Sequence, residues 1–343
     1  MKYIGAFFLA MALLAGCKNA EKGKPAESGV SVAVFVPGVL AGSAIYEMLA
    51  DGTKKAAEEF AASGQKAAAP TVTVIEGGFN QAEWESQITT LAASQSHDLI
   101  VTSNPSMPVI VSSVSRKFPS QKFLLLDGEL EGNPNVYALR YNQREQAYMA
   151  GYIAALVSLE SSRGAGARTV GLLAAQESPA MNGIILPGYL EGARAVDPAF
   201  SVDFRVVGNW FDAVTGAELA AGMIRSEATV LLPIAGGAGQ GAVQAAFEAG
   251  AKVVWFDTNG YAIRPGTIIG SAILRQDKAA YEKATLYLKG ELPFGKAEVA
   301  GIADGFVDFV EDDPLYIAAV SQAIRDKQAK LISRLRSGEL KLD

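Results

Sequence analysis

From residue 30 onward, short β-rich runs alternate with longer amphipathic stretches, and this alternation constrains the fold more than any motif does. The runs expected as strands are SVAVFV (31–36), TVTVIEG (71–77), DLIVTS (98–103), KFLLLD (122–127), VYALRY (136–141), TVGLLAA (169–175), SVDFRVVG (201–208), ATVLLPIA (228–235), KVVWFD (252–257) and TIIGSAIL (267–274). Helical periodicity is expected near 43–62, 81–95, 108–117, 144–160, 182–196, 213–227, 239–249, 277–289 and 314–337. Strand–helix alternation of this kind produces parallel sheets covered by helices on both faces. Ten strands are many for one open sheet, and a second round of the same pattern begins at Gln143. The chain is therefore read as α/β, with two doubly wound parallel-sheet lobes joined by hinge crossovers near Tyr141, Arg264 and Val299. That assigns 30–141 and 265–298 to an N-terminal lobe, and 142–264 and 299–343 to a C-terminal lobe. Ligands of such sheets sit beyond the carboxyl ends of the strands, so facing lobes enclose a cleft.

The first residues, MKYIGAFFLAMALLAGC, place Lys2 before an apolar run and the small pair Ala15-Gly16 before Cys17. This reads as a signal peptide over 1–16, too short in its apolar part to span a membrane. Leu14-Ala15-Gly16-Cys17 resembles the lipobox of bacterial lipoproteins, which implies lipidation at Cys17, the only cysteine of the chain. No disulfide is then expected, and a 50% hydrophobic content has to stabilise the fold through an ordinary core. Residues 17–29 form the lipidated N-terminus and its polar tether, which would hold the folded part about 20 Å from the lipid surface. The expected location is outside the cytoplasm, anchored to a bacterial membrane by lipid and facing the periplasm.

The net charge of −6 and the absence of a basic stripe argue against nucleic acid as a partner. Catalytic chemistry is poorly provided for. His97 is the only histidine and falls where a helix gives way to a strand, so a structural role is expected of it, and no metal site of the usual kind is available. Neither a G-x-S-x-G elbow nor a G-x-x-x-x-G-K-[ST] loop is present. Asp312-Asp313 before Pro314 reads as a helix start.

AGGAGQG (235–241) satisfies the G-x-G-x-x-G/A dinucleotide fingerprint, with Asp257 further along. The fingerprint normally opens the first βαβ unit of its domain, whereas here it falls in the third unit of the second lobe. A narrower expectation survives: backbone amides aimed at ligand oxygens, with Asp257 at a strand end accepting from hydroxyls.

The ordered set QKFLLLDG (121–128), Tyr141-Asn142-Gln143-Arg144-Glu145, PGYLEGARAVDP (187–198), AGGAGQG and VVWFDTNGY (253–261), after a lipobox, resembles the basic-membrane-protein family of substrate-binding lipoproteins. The resemblance implies the type I periplasmic-binding-protein fold and service to an ABC importer, with its permease and ATPase subunits as partners. Members often bind purine nucleosides, and a spirochaetal riboflavin-uptake branch resembles this chain more closely. By the same resemblance the family's glycine loop falls on Gly236, Gly237 and Gly239. Its strand-end aspartate falls on Asp257, its assisting lysine on Arg275, and its stacking aromatic on Phe211 within Asn209-Trp210-Phe211-Asp212.

The first lobe departs from the nucleoside binders. PGVLAGSAIYEML (37–49) has no carboxylate in the loop after the first strand, and Ile45 and Tyr46 stand near the place of the family's aromatic and asparagine. The ligand expected is a flat ring for Tyr46, Trp210 and Phe211 with a hydroxylated arm for Asp257, Arg275 and the glycine amides. Asn104 and Gln143 would supply amides to the ring edge. Trp84 and Trp255 are expected in the core. Riboflavin meets these demands, and a purine nucleoside competes with it; a nucleotide-dependent enzyme and an extracytoplasmic sensor are the readings from other classes. A monomer with no cofactor beyond the transported ligand is expected.

Overall fold

The computed structural model describes residues 29–64, 68–160 and 168–342. The expected signal peptide, Cys17 and nearly all of the tether lie outside the described residues. The most continuously apolar runs become the inner strands of two six-stranded sheets. The first sheet contains β1 (Ser31–Val36), β2 (Thr71–Glu76), β3 (Leu99–Ser103), β4 (Lys122–Leu126), β5 (Val136–Tyr141) and a late strand, β11 (Ala297–Ala300). The second contains β6 (Thr169–Ala174), β7 (Ser201–Val206), β8 (Val230–Ile234), β9 (Lys252–Asp257), β10 (Ile268–Leu274) and β12 (Val307–Phe309). β1, β3 and β4 are buried along almost their whole length, whereas the edge strands β2 and β7 carry Thr, Glu, Asp and Arg and stay half open.

The strand orders are β11-β5-β4-β3-β1-β2 and β12-β10-β9-β8-β6-β7. The two lobes are thus topological copies, in which β4 corresponds to β9 and β5 to β10. Every pairing in the first sheet is parallel, and in the second only β12 runs antiparallel, to β10. On one face of the first sheet lie α1 (Ala44–Ala62) and α8 (Gln276–Leu288); on the other lie α2 (Gln81–Ser94) and α3 (Met107–Lys117). The second sheet is covered by α4 (Gln143–Glu160), α5 (Leu186–Arg194) and α10 (Gln322–Arg336), and by the pair α6 (Ala213–Arg225) and α7 (Gly236–Ala249). The short α9 (Pro314–Ala319) packs near β10. Asp313 caps it by accepting from the Leu315 amide at 2.8 Å, as its position before Pro314 suggested.

One of the three crossovers is displaced from the expectation, and the other two fall within a residue or two of it. The second is not at Arg264, because β10 continues in the second sheet, in parallel register with β9 from Ile268↔Val253 to Ile273↔Asp257. Pro265-Gly266 is only a turn between two neighbouring strands. The chain crosses at Arg275, immediately before α8 packs on α1, so residues 265–274 belong to the second lobe and not the first. The third crossover follows Ala300, since Val299 and Ala300 still pair with Arg140 and Tyr141 of β5. β11 and β12 are too short to stand out as strands in the sequence. The helix expected over 182–196 opens with a π-helical turn at Met181–Ile185, and that expected over 314–337 breaks at Val320-Ser321 into α9 and α10.

Candidate functional site

The carboxyl ends of both sheets face the crossovers, and the equivalent strands β4 and β9 each end on an aspartate. Asp127 follows β4 and Asp257 closes β9. Both have left-handed backbones, with φ of 51° and 70°. Such a conformation costs a non-glycine residue of the order of 1 kcal/mol or more, and residues held that way concentrate at binding sites. Asp257 was legible in the sequence. Asp127 was not singled out, although KFLLLD and KVVWFD present the same ending.

Helix α4 starts directly after the first crossover and sends a glutamine to each aspartate. Gln143 Nε2 donates to Asp127 Oδ1 at 3.4 Å, and Gln146 Nε2 donates to Asp257 Oδ1 at 3.1 Å. The two glutamines are one helical turn apart and therefore share a helix face. Gln143 was expected near the ligand; Gln146, inside a helix of mostly buried positions, was not.

Burial pushes the Asp127 carboxyl up to about 8; the charge of Asp257 adds to the rise and Arg140 opposes it. Burial also pushes Asp257 up to about 6, with the Gln146 hydrogen bond opposing. Both carboxyls are raised, Asp127 further than Asp257, so Asp127 is the member of the pair that holds a proton more readily. The second lobe thus offers the better acceptor and the first the better donor.

Beside Asp127 lie the two residues expected from the first lobe. Tyr46 Oη donates to the Pro37 carbonyl at 3.0 Å and accepts from Asn104 Nδ2, also at 3.0 Å. Burial pushes the Tyr46 phenol up to about 12, with the Asn104 hydrogen bond opposing and the Asp127 charge adding to the rise. Asn104 follows β3, and Tyr46, in the first turn of α1, reaches the end of β1 at Pro37; between these two strands the order of the sheet reverses, where α/β folds bind ligands. A carboxylate does reach the loop after β1: Glu76, at the end of β2, accepts from the Leu40 amide at 2.6 Å. It arrives from a neighbouring strand and is committed to the backbone.

The second lobe brings Trp210 and Phe211 to the corresponding rim. Trp210 is 44% and Phe211 71% exposed, and Trp210 Nε1 donates to Gln176 Oε1 at 3.3 Å. AGGAGQG is not a loop but the first turns of α7. Gly236 has φ 53°, and a Cβ there would lie 3.0 Å from the Trp210 carbonyl, so the helix begins tightly against that segment. Gly241 serves packing alone, since its Cβ would meet the Ala213 carbonyl of α6 at 1.8 Å. Two amides of this segment are already used, Ala238 donating to Trp210 O at 3.3 Å and Gly239 to Ala235 O at 3.3 Å. Gly236 and Gly237 are the exposed ones of the first turn, while Gly239 is buried.

Arg275 does not join Asp257. It stands at the second crossover and its Nε pairs with Asp277 Oδ1 at 3.4 Å, two residues along the chain. The next residue, Gln276, is fully buried and ties the crossovers together: it accepts from Tyr141 Oη at 2.8 Å and donates to Ser103 Oγ at 2.7 Å. Tyr141 is thereby committed to the hinge. Trp84 is buried in the core of the first lobe and Trp255 is half-buried against Gly260. His97 Nδ1 meets Ser96 Oγ at 2.9 Å, at the amino end of β3 and away from the aspartates.

Two parallel-sheet lobes, three crossovers and a polar site between facing strand ends define a solute-binding protein of the kind that serves ABC transporters. The chain belongs to the Bmp family, ABC transporter substrate-binding proteins described as PnrA-like, which it matches over residues 29–341. It is 27% identical over 150 residues to the ABC transporter nucleoside-binding protein BmpA of Lactococcus lactis subsp. cremoris, covering 44% of this chain and 40% of that one. It is 23% identical over 231 residues to Basic membrane protein A1 of Borrelia garinii subsp. bavariensis, covering 66% of each. The matched region is thus less than two thirds of the length of these relatives. Among solved structures, a solute-binding protein of an ABC transporter system from Aeropyrum pernix K1 superposes with a TM-score of 0.78 at 23% identity, over 92% of this chain and 93% of that one. The family is one of transport proteins and not of enzymes, so the dinucleotide fingerprint in α7 is a coincidence of shared helix-start geometry. No described helix is long and apolar enough to cross a membrane.

Proposed function

We propose that this protein captures riboflavin between its lobes and delivers it to an ABC importer from a position anchored outside the cytoplasm through a lipid on Cys17. The observation that carries this reading is the placement of one aspartate at the strand end of each lobe, each met by a glutamine of α4, with Asp127 raised further than Asp257. A charged acceptor suits the hydroxyls of a polyol arm, and a neutral acid suits the carbonyl and ring-nitrogen acceptors of a pyrimidine-like edge. Tyr46 and Asn104 stand beside the acid, and Trp210 and Phe211 offer aromatic faces from the opposite rim. The guanidiniums near the site are already answered, Arg140 by Glu129 at 2.9 Å and Arg275 by Asp277 at 3.4 Å. That supports a ligand without phosphate.

A purine nucleoside is the second reading, favoured by the nucleoside-binding function in the name of the Lactococcus relative. Against it stands the loop Pro37–Gly42, whose sequence has no carboxylate for a purine edge and whose reaching Glu76 is held on the Leu40 amide. Protein purified without its signal peptide is expected to carry yellow flavin that is released on denaturation. Calorimetric titration that detects inosine or guanosine and no riboflavin would overturn the riboflavin reading in favour of the nucleoside.

If Trp210 and Phe211 stack on the ring, each alanine substitution is expected to weaken riboflavin binding about tenfold, from lost stacking and lost buried area. Phe211 is 71% exposed, so its removal should leave the melting temperature within about 1 °C of the parent, whereas loss of Trp210, bonded to Gln176 and packed on Gly236, should lower it by about 2 °C. Quenching of flavin fluorescence provides the titration signal.

A further inference from the structure

We propose that Gln146 is a positioning residue: it fixes Asp257 as the acceptor of the aspartate pair and so sets which way round the ligand lies between the lobes. The inference rests on assigning the two aspartates to the ligand site. Gln146 is fully buried in α4, and its Nε2 has two partners, Asp257 Oδ1 at 3.1 Å and the Ala272 carbonyl of β10 at 3.0 Å. The Ala272 carbonyl has no proton to give, so the amide can face it only with its NH2 group. The same NH2 then faces Asp257, which has to accept. Turning the amide over would set Gln146 Oε1 against a carbonyl oxygen, which is repulsive. In the orientation present, Oε1 has no hydrogen-bond partner among the described residues, so the two donor contacts decide how the amide lies.

Asp127 is held differently. Its contact with Gln143 is long, at 3.4 Å, and the Arg140 guanidinium near it is paired with Glu129. The groups that act on the pair are few. Asp127 meets Gln143 from α4, Asp257 from the other lobe, Arg140 from β5 and the phenols of Tyr46 and Tyr141. Asp257 meets Gln146 and the same Tyr141, whose hydroxyl is also raised by Asp277 of α8. Of the two aspartates, only Asp257 has a short donor locked in place by a third group. When the two carboxyls repel, the proton therefore goes to Asp127, and the pair becomes directional: hydroxyl donors of a ligand turn toward the second lobe and acceptors toward the first.

The test is a carboxyl 13C NMR titration of the ligand-free protein labelled at aspartate, with Asp127→Asn and Asp257→Asn identifying the two signals. Asp257 is expected to titrate below Asp127. In Gln146→Met, which keeps volume but removes the donor, the Asp257 midpoint is expected to rise by about one pH unit. Gln143→Met is expected to leave the Asp257 midpoint in place. If Gln146→Met does not fold, Gln146→Glu removes the same donor and adds a carboxyl, and is expected to raise the Asp257 midpoint further. An Asp127 midpoint below that of Asp257 in the parent protein, or an Asp257 midpoint unmoved by the loss of the Gln146 donor, overturns the proposal. No ligand enters the titration, so a failure of riboflavin to bind leaves its outcome readable.

Discussion

Asp257→Ala is expected to weaken riboflavin binding by about two orders of magnitude while leaving the lobes folded. A hydrogen bond to a charged group contributes about 1.5–3 kcal/mol, and a carboxylate at the end of β9 can accept from two hydroxyls of a polyol arm. Losing both costs roughly 3 kcal/mol, which is about a hundredfold in Kd. The fold has little to lose from the change. The buried carboxylate is held above its ordinary range, so its ionised form is a burden on the native state rather than a support. Gln146 retains the Ala272 carbonyl when the carboxylate is gone. Alanine tolerates the left-handed backbone at φ 70° less well than aspartate, a cost of about 1 kcal/mol or less that leaves the lobes folded. Calorimetric titration at neutral pH, with a thermal melt of each protein as the control, measures both effects. Unchanged affinity in a folded variant would mean that the hydroxylated arm lies elsewhere.

The architecture was largely legible because inner strands of a parallel sheet are apolar on both faces. β1, β5 and β9 coincide with the runs read from the sequence, and the alternation of strand and helix implied two lobes. The hinge was harder to place. Pro265-Gly266 has the composition of an interlobe link, yet it is a tight turn, and only the pairing of β10 with β9 shows on which side of the hinge that segment lies. Local residues do not record which sheet completes a strand's hydrogen bonds.

The same limit applies to the site. Tyr46 is expected at the ligand from its place near the family's aromatic and Asn104 from its turn after DLIVTS, and the structure joins the two at 3.0 Å. Asp127 was missed because one aspartate in a strand-end turn has a sufficient structural reason to be there. Its meaning comes from its counterpart in the other lobe, which becomes visible once β4 and β9 are seen as equivalent strands. Gln146 lies within a helix whose pattern is dominated by burial, and nothing in its neighbours announces a contact 111 residues away. Arg275, which the family resemblance sets beside Asp257, pairs with Asp277 two residues along the chain, a contact between near neighbours that the resemblance does not reveal.

Asp127→Asn is expected to stabilise the ligand-free protein, and to do so in a pH-dependent way. The carboxyl is raised from 3.8 to about 8 in the folded chain, so the native state holds this proton more tightly than the unfolded chain does. The stabilising contribution of the protonated form is fully present below about pH 3.8 and is lost progressively as pH rises toward 8. Above that, the native protein carries a buried anion facing Asp257. Asparagine keeps the shape and cannot ionise. The difference in stability between variant and parent should therefore vanish near pH 4, grow through neutrality and level off above about pH 8. With allowance for partial solvent access, the plateau is on the order of 3 kcal/mol, or about 5 °C in melting temperature. Binding should separate the two proteins in the opposite sense. A ligand that accepts from the neutral acid loses about tenfold in affinity per pH unit above 8 in the parent, because the donor proton is gone. The variant's amide still donates there, so its affinity should be flat over the same interval. Melting curves and flavin titrations across this range test both arms. A stability difference that did not vary with pH would show that Asp127 is ionised throughout, and the neutral donor of the first lobe would have to be sought in the Tyr46 hydroxyl or the Asn104 amide.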